Sequence, residues 1–382
     1  MRNDKYSKLF VYLVMIPCGL AVACSSSKTP SHGDGSAGVE GGLAGGGGTA
    51  GAGGGTGGAA GASQGGVPTV VATLDAVPVS LALAGDRVYV TLFPTHGGDG
   101  KVESIAKTAT GASADGGTAV TTLASGLAGP GAIAVNGSQV LWIDNYQVMS
   151  VPVTGGPTST LFSDVLALVR LPIVDSVFYT SSDNGQTITA DMLGAADGGI
   201  GVGTTVYTRS GEGLDPAVDS DGSSLFFLNS NGSSNGQPFD LYKSPVAGGA
   251  ATVLVMNAGG GSASFDYIVD DATTVYWSDS GNQSVSSVPK AGGTPKTLAT
   301  FGAMSAPVQI VLDGDNIYAL WPEQLVRFPK AGGTPVVLAS VSNPSAANSY
   351  GGLGNNAISL AVDDSFVYWL FAGPQQILKI AK

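Results

Sequence analysis

A short apolar–aromatic segment that returns about every 46 residues, a shortage of charged residues, and two half-units at opposite ends that complete one another predict an all-β fold. The fold expected is a single β-propeller of seven four-stranded blades. Charged residues are 12% of the 382-residue chain, and 59 residues are Gly, against a usual charged share of about 25%. Good helix formers such as Glu, Lys and Arg are scarce, while Gly, Ser, Thr and Val abound, which favours short strands and tight turns over helices. The rival all-β folds, a sandwich and a right-handed β-helix, account for neither the repeat length nor the complementary ends.

The repeat is carried by seven segments: Asp86-Arg87-Val88-Tyr89-Val90, Ser138-Gln139-Val140-Leu141-Trp142, Asp175-Ser176-Val177-Phe178-Tyr179, Ser223-Ser224-Leu225-Phe226-Phe227, Thr273-Thr274-Val275-Tyr276-Trp277, Asp315-Asn316-Ile317-Tyr318-Ala319 and Ser365-Phe366-Val367-Tyr368-Trp369. Each is expected to be the second strand of its blade. A first apolar strand precedes it, as in Ala132–Val135, Gln309–Leu312 and Leu360–Val362, with a turn rich in Asp, Asn or Gly between them that suits a hairpin. The aromatic residues are expected to pack between adjacent blades.

A third strand follows, as in Ser284–Lys290, then a glycine turn, Ala291-Gly292-Gly293-Thr294-Pro295, and a fourth strand, Lys296–Ala299. Arg327-Phe328-Pro329-Lys330-Ala331-Gly332-Gly333-Thr334-Pro335-Val336-Val337-Leu338-Ala339 repeats this unit, and weaker copies begin at Val151 and Ser244. Prolines that end third strands mark where ladder hydrogen bonding stops. The last unit ends at Lys382, one strand short. Gly65-Gly66-Val67-Pro68-Thr69-Val70-Val71-Ala72-Thr73 resembles the fourth-strand entry at Gly332–Ser340. Thr69–Leu74 is therefore expected to complete the last blade and close the ring, removing the open edges.

The N-terminus reads differently. Residues 2–8 carry Arg2, Lys5 and Lys8, and the apolar run Leu9–Ala23 has signal-peptide length, too short for a membrane span. It ends Leu20-Ala21-Val22-Ala23-Cys24-Ser25, which resembles the lipobox of bacterial lipoproteins, with Leu20 one place earlier than usual. That resemblance implies a signal peptide over residues 1–23, acylation of Cys24, and membrane lipid as a partner through its acyl chains. It also implies a cell-envelope location, at the outer membrane on the periplasmic side or the cell surface. An ordinary secretory signal cleaved after Ala23 is the alternative. Residues 24–66 are almost all Gly, Ala, Ser and Thr, too poor in apolar residues to fold. They read as a tether of about 35 Å root-mean-square span, and residues 67–382 as the propeller. By analogy with the other glycine turns, the tether is expected to leave from the face opposite the second-to-third-strand loops.

Val275-Tyr276-Trp277-Ser278-Asp279, with Val285–Val288 and Gly292-Gly293 after it, resembles a repeat of the YWTD-type propellers. Val367-Tyr368-Trp369 and Val140-Leu141-Trp142-Ile143-Asp144 match more loosely. The same signature is shared with NHL, gluconolactonase-like and streptogramin-lyase-like propellers. YWTD domains usually have six blades where seven segments stand here, so the resemblance implies the fold and not one family.

In such propellers, the loops joining second to third strands and fourth strands to the next blade form the usual binding face. Here they supply His96, Asp99, Asp144, Asn145, Asp183, Asn184, Asn229, Asn231, Asp279, Asn282 and Glu323 as candidate ligand-binding residues. A cation, a sugar or other carbohydrate, or a basic or polar protein segment would suit them; solvated turns are the plainer alternative.

No catalytic constellation stands out. The two histidines are His32 and His96, and both cysteines, Cys18 and Cys24, lie near the N-terminus. With one histidine and no cysteine in the domain, Ser-His-Asp, Cys-His and thiolate–zinc arrangements are not expected there. A streptogramin-lyase-like activity is expected to need a second histidine. The gluconolactonase-like resemblance implies the alternative to a binding or scaffolding module: a metal-dependent hydrolase with a divalent cation in the central channel. No cofactor motif is evident, and the polar, acidic loops leave room for a divalent cation such as calcium. Asp219-Ser220-Asp221-Gly222 looks like part of a calcium loop, but its place in a first hairpin favours a turn. A net charge of −12 repels phosphate backbones and excludes nucleic acid. A monomer is expected.

Overall fold

The computed structural model describes residues 66–94, 99–113, 119–163, 173–174, 177–182, 187–192, 204–208, 218–230, 239–259, 267–279, 281–301, 309–321, 324–340 and 357–382. The expected signal peptide, Cys24 and nearly all of the tether lie outside them. All belong to the second of two compact units, Ser63–Lys382.

The described residues form a seven-bladed β-propeller of antiparallel four-stranded sheets. Strand β1 (Thr69–Thr73) comes first. Blade 1 contains β2 (Val77–Ala84), β3 (Arg87–Phe93) and β4 (Gly100–Ala106); a two-residue strand β5 (Ala112–Ser113) leaves it, and β6 (Val120–Leu127) completes it. Blade 2 has β7 (Pro130–Asn136), β8 (Gln139–Asp144), β9 (Gln147–Pro152) and β10 (Ser159–Ser163). Blade 3 has β11 (Ile173–Val174), β12 (Val177–Ser182), β13 (Thr187–Met192) and β14 (Thr204–Thr208).

Blade 4 has β15 (Val218–Ser220), β16 (Ser224–Ser230), β17 (Phe239–Pro245) and β18 (Thr252–Gly259). Blade 5 has β19 (Ile268–Asp270), β20 (Thr274–Asp279), β21 (Ser284–Pro289) and β22 (Lys296–Thr300). Blade 6 has β23 (Gln309–Asp313), β24 (Asn316–Trp321), β25 (Gln324–Pro329) and β26 (Val336–Ser340). Blade 7 has β27 (Ala357–Val362), β28 (Phe366–Phe371) and β29 (Gln376–Ala381), and its fourth strand is β1. Ring closure is thus as expected: β1 pairs antiparallel with β29, Thr69 opposite Lys379 and Thr73 opposite Gln376.

The core sits between blades, because residues alternate faces along a strand. In β28, Val367 and Trp369 join a cluster with blade 6, while Tyr368 and Leu370 join one with blade 1. In β24, Ile317 and Ala319 face blade 5, while Tyr318 and Leu320 face blade 7. The expected packing of the second-strand aromatics holds: Trp142, Trp277, Trp369, Tyr179 and Tyr318 are buried. Blade 3 is set one residue later than the sequence alignment places it. Phe178, not Val177, faces blade 2, and Val177 packs with Tyr179 toward blade 4.

Two features escape the repeat pattern. Strand β5 pairs parallel with β1, Ala72 opposite Ala112, so the closing sheet has five strands. The first hairpins also fall into two kinds. Blades 1, 2 and 6 use glycines at φ 53°, 56° and 52° (Gly85, Gly137 and Gly314). In blades 4, 5 and 7, an Asp side chain accepts from two backbone N–H groups just ahead: Asp221 from Ser223 and Ser224, Asp271 from Thr273 and Thr274, and Asp363 from Ser365 and Phe366.

Candidate functional site

The loop face begins where second strands end. Asp144 closes β8, and its Oδ1 accepts from the Gly129 N–H at 2.7 Å, fixing the entry to blade 2. Asn145 and Tyr146 form the two-residue turn to β9 at φ 47° and 67°. Asn favours this left-handed region, whereas Tyr there costs about 1–2 kcal/mol. Asn145 is exposed and Tyr146 is 48% exposed. On blade 1, Phe93 ends β3 at 36% exposure, and Asp99 is exposed. Gly100 follows because a Cβ there would meet the Leu127 carbonyl at 2.7 Å.

On blade 5 the structure brings two candidates together. Asp279 is buried, its Oδ1 accepting from the Asn282 N–H at 3.0 Å and its Oδ2 from Asn282 Nδ2 at 2.6 Å. That carboxylate holds its own loop in shape. Asn229, next to the end of β16, lies opposite Asp240, and only its backbone is described. His96, Asp183, Asn184, Asn231 and Glu323 lie outside the described residues.

The opposite face bears first-hairpin turns and third-strand exits, and there charged groups pair across blades. Lys290 Nζ reaches Asp221 Oδ2 of blade 4 at 2.7 Å and Asp270 Oδ2 of its own blade at 2.5 Å. Lys330 reaches Asp271 of blade 5 at 3.0 Å, Lys382 reaches Asp313 of blade 6 at 2.6 Å, and Lys107 reaches Asp363 of blade 7 at 3.1 Å. Burial works to raise the Asp221 carboxyl, but hydrogen bonds from Lys290, Ser224 and Ser223 hold it well below the usual range. Asp271 likewise ends at about 2: burial is outweighed by the Thr273 N–H, Lys330 and the Tyr276 hydroxyl. The expected turn reading of Asp219–Gly222 is right for Asp221.

Between the faces runs the central channel, about 450 Å³, lined by the first strands. Its wall is aliphatic at Leu83, Val135, Val311 and Leu312, with Asp219 and Asp270 as its carboxylates. Asp219 Oδ2 accepts from the Asp270 N–H at 3.0 Å. Burial and the Asp219 charge push Asp270 upward, against the pull of Lys290. Higher in the channel, Ser80, Gln309 and Ser359 occupy equivalent positions and accept from the N–H groups of Ile133, Leu360 and Leu81 on the next blades. Asp219 therefore serves the ring in the same way one step lower. The described carboxylates here are tied to Lys290 and a backbone amide. Among the described residues, no three His, Cys, Asp or Glu side chains are grouped to hold a metal.

Sequence reasoning missed Phe93, Tyr146, Asp270 and Lys290. Tyr146 follows directly on Asp144-Asn145, and an aromatic in a two-residue loop was the available signal. Asp270 ends the first strand of blade 5 and Lys290 follows the third; they meet across its sheet, which spacing along the chain does not reveal.

No family model matches the chain, and no curated protein sequence does. Solved structures do. A catalytically inactive virginiamycin B lyase from Staphylococcus aureus with quinupristin aligns at TM-score 0.58 and 12% identity, over 81% of this chain and 96% of its own. The computationally designed Ika8 protein aligns at 0.52 and 12%, over 82% and 100%. The extracellular domain of a putative one-component system from B. thetaiotaomicron aligns at 0.53 and 10%, over 80% of this chain and 38% of its own length. At these identities the likeness is one of fold: a β-propeller shared by a lyase, a designed protein and part of an extracellular domain.

Proposed function

We propose that the protein is a lipid-anchored component of the cell envelope whose propeller is a binding or scaffolding module, with its ligand on the face of the second-to-third-strand loops. The observation that carries this reading is the difference between the two faces. On one, four lysines at third-strand exits pair with aspartates of neighbouring blades. On the other, where Lys101 pairs with Asp75, the side chains of Asp99, Asn145, Tyr146 and Asn282 stand exposed. The lipobox-like run ending in Cys24 supports the anchor. The chain enters β1 at Thr69, opposite Lys379 near the end of β29, so a tether leading into it would arrive on the ion-paired side.

Two experiments test the two parts. The full chain should partition into Triton X-114 and incorporate labelled palmitate, and Cys24→Ser should abolish both; retention of either label or partitioning refutes the anchor. The Cys24→Ser chain, immobilised through a new cysteine at Asp364 on the ion-paired face, should retain fractionated envelope material. Immobilised at Asn282, it should not. Equal retention in both orientations, or none in either, refutes the loop-face reading.

A further inference from the structure

The geometry points to a saccharide-binding site on the loop face between blades 1 and 2, built from Phe93, Asp144, Asn145 and Tyr146; it rests on the loop-face reading above and names the ligand class. Phe93 and Tyr146 are the two aromatics among the large apolar side chains left exposed in the described residues. Gly129 stands between their loops. A Cβ on Gly129 would lie 3.9 Å from Phe93 Cε2, and the Gly129 N–H is held by Asp144, which leads directly into Asn145 and Tyr146. Glycine at 129 leaves uncovered a ring that a side chain there would touch.

Tyr146 occupies a backbone conformation that a glycine would adopt without strain. Blades 5 and 7 place Gln283 and Gln375 in the same region, at φ 51° and 56°, just before their third strands. The fold thus demands this turn, and on blade 2 it is filled by an exposed aromatic.

The chemistry on this patch suits a sugar. A pyranose offers a face of C–H groups to an aromatic ring and, at its edge, neighbouring hydroxyls that both donate and accept. Two half-exposed rings supply apolar area at little entropic cost. The Asp144 carboxylate accepts, and the Asn145 amide donates and accepts. Among the described residues no three acidic, His or Cys side chains are grouped to hold a metal ion, and an anionic polymer meets a chain of net charge −12.

The test uses the full Cys24→Ser chain on a glycan array, followed by calorimetric titration of cellotriose, chitotriose, maltotriose and laminaritriose. At least one saccharide should bind. Tyr146→Ala and Phe93→Ala should weaken it at least tenfold, Tyr146→Phe less than threefold, and Asn145→Gly several-fold with the turn preserved. Tyr146→Gly should melt higher than the parent and bind worst, a pairing that a merely structural tyrosine would not show. The inference is overturned if no saccharide binds, or if binding survives Tyr146→Gly and Phe93→Ala. Retention of envelope protein by the loop face without saccharide binding overturns it alone; no retention of any envelope material overturns the loop-face reading as well.

Discussion

Lys290 of blade 5 and Asp221 of blade 4 meet at 2.7 Å, and their neighbours repeat the arrangement around one arc of the ring. The residue after the third strand is Lys107, Lys290, Lys330 or Lys382 in blades 1, 5, 6 and 7, and each pairs with the preceding blade. In blades 2, 3 and 4 that residue is Val153, Leu193 or Val246, so those three interfaces have no such ion pair to make. Lys290 and Lys330 also lie over Phe226 and Tyr276 of the preceding blade, at 5.1 and 5.7 Å from the ring centres.

Lys290→Ala should therefore cost about 2 kcal/mol, between the at most 1 kcal/mol of an exposed pair and the 3–5 kcal/mol of breaking a buried one. The lysine is 11% exposed and leaves two carboxylates behind, Asp270 at 7% exposure among them. Lys330→Ala, at a wetter pair, should cost about 1 kcal/mol. Urea melts at pH 7 give both values; a larger loss for Lys330→Ala would invert the burial argument.

Stability should change with pH in two opposed steps. Burial raises Asp191 to about 6, partly offset by a hydrogen bond from Thr180, and burial with Asp219 raises Asp270. A carboxyl raised above its unfolded value binds its proton more tightly when folded, so these two favour folding as pH falls from about 7 toward 4. Asp221, Asp271 and Asp363 are lowered, and their contribution, present above about pH 4, is lost as pH falls below it. Melting temperature should therefore peak near pH 4–5. Asp191→Asn should flatten the rise between pH 7 and 5; an unchanged slope would show that Asp191 does not titrate there.

Removing residues 67–76 should melt the whole ring, although the strand lies next to the glycine-rich segment. The cut takes Val71, Ala72, Leu74 and Ala76 from the cluster between blades 7 and 1. It also exposes β29 as an edge and leaves β5 without its partner. The loss should reach about 5 kcal/mol or more from buried aliphatic groups and ladder bonds together. Circular-dichroism melting that matches the intact chain would contradict closure by β1.

The blades were legible because each second strand must satisfy two neighbours at once. A strand that buries Val367 and Trp369 on one side and Tyr368 on the other carries an aliphatic–aromatic signature that survives in sequence. Closure was legible because β1 copies the fourth strand of blade 6. Strand β5 was not, since two residues of parallel pairing leave no periodicity. Of the loop candidates, Asp279 and Asn282 proved to bond each other, as the polar-turn alternative anticipates. Composition marks such loops as polar but does not say whether a carboxylate faces a ligand or its own backbone. Phe93 and Tyr146 belong to different blades and lie far apart in the sequence, so no local pattern links them.

The glycine turns separate conformational strain from crowding. Gly292 and Gly332 hold the same place in blades 5 and 6, at φ 87° and 85°. A Cβ on Gly292 would meet nothing within 4 Å, whereas one on Gly332 would lie 3.2 Å from the Leu298 carbonyl oxygen of blade 5. Gly292→Ala should thus cost about 1–2 kcal/mol for the left-handed backbone alone. Gly332→Ala should cost that and more, because the Leu298 oxygen also accepts from the Gly333 N–H and has little room to retreat. Equal losses in urea melts would mean that the blade 5–6 contact yields freely, and that the glycine at 332 answers to the turn and not to its neighbour.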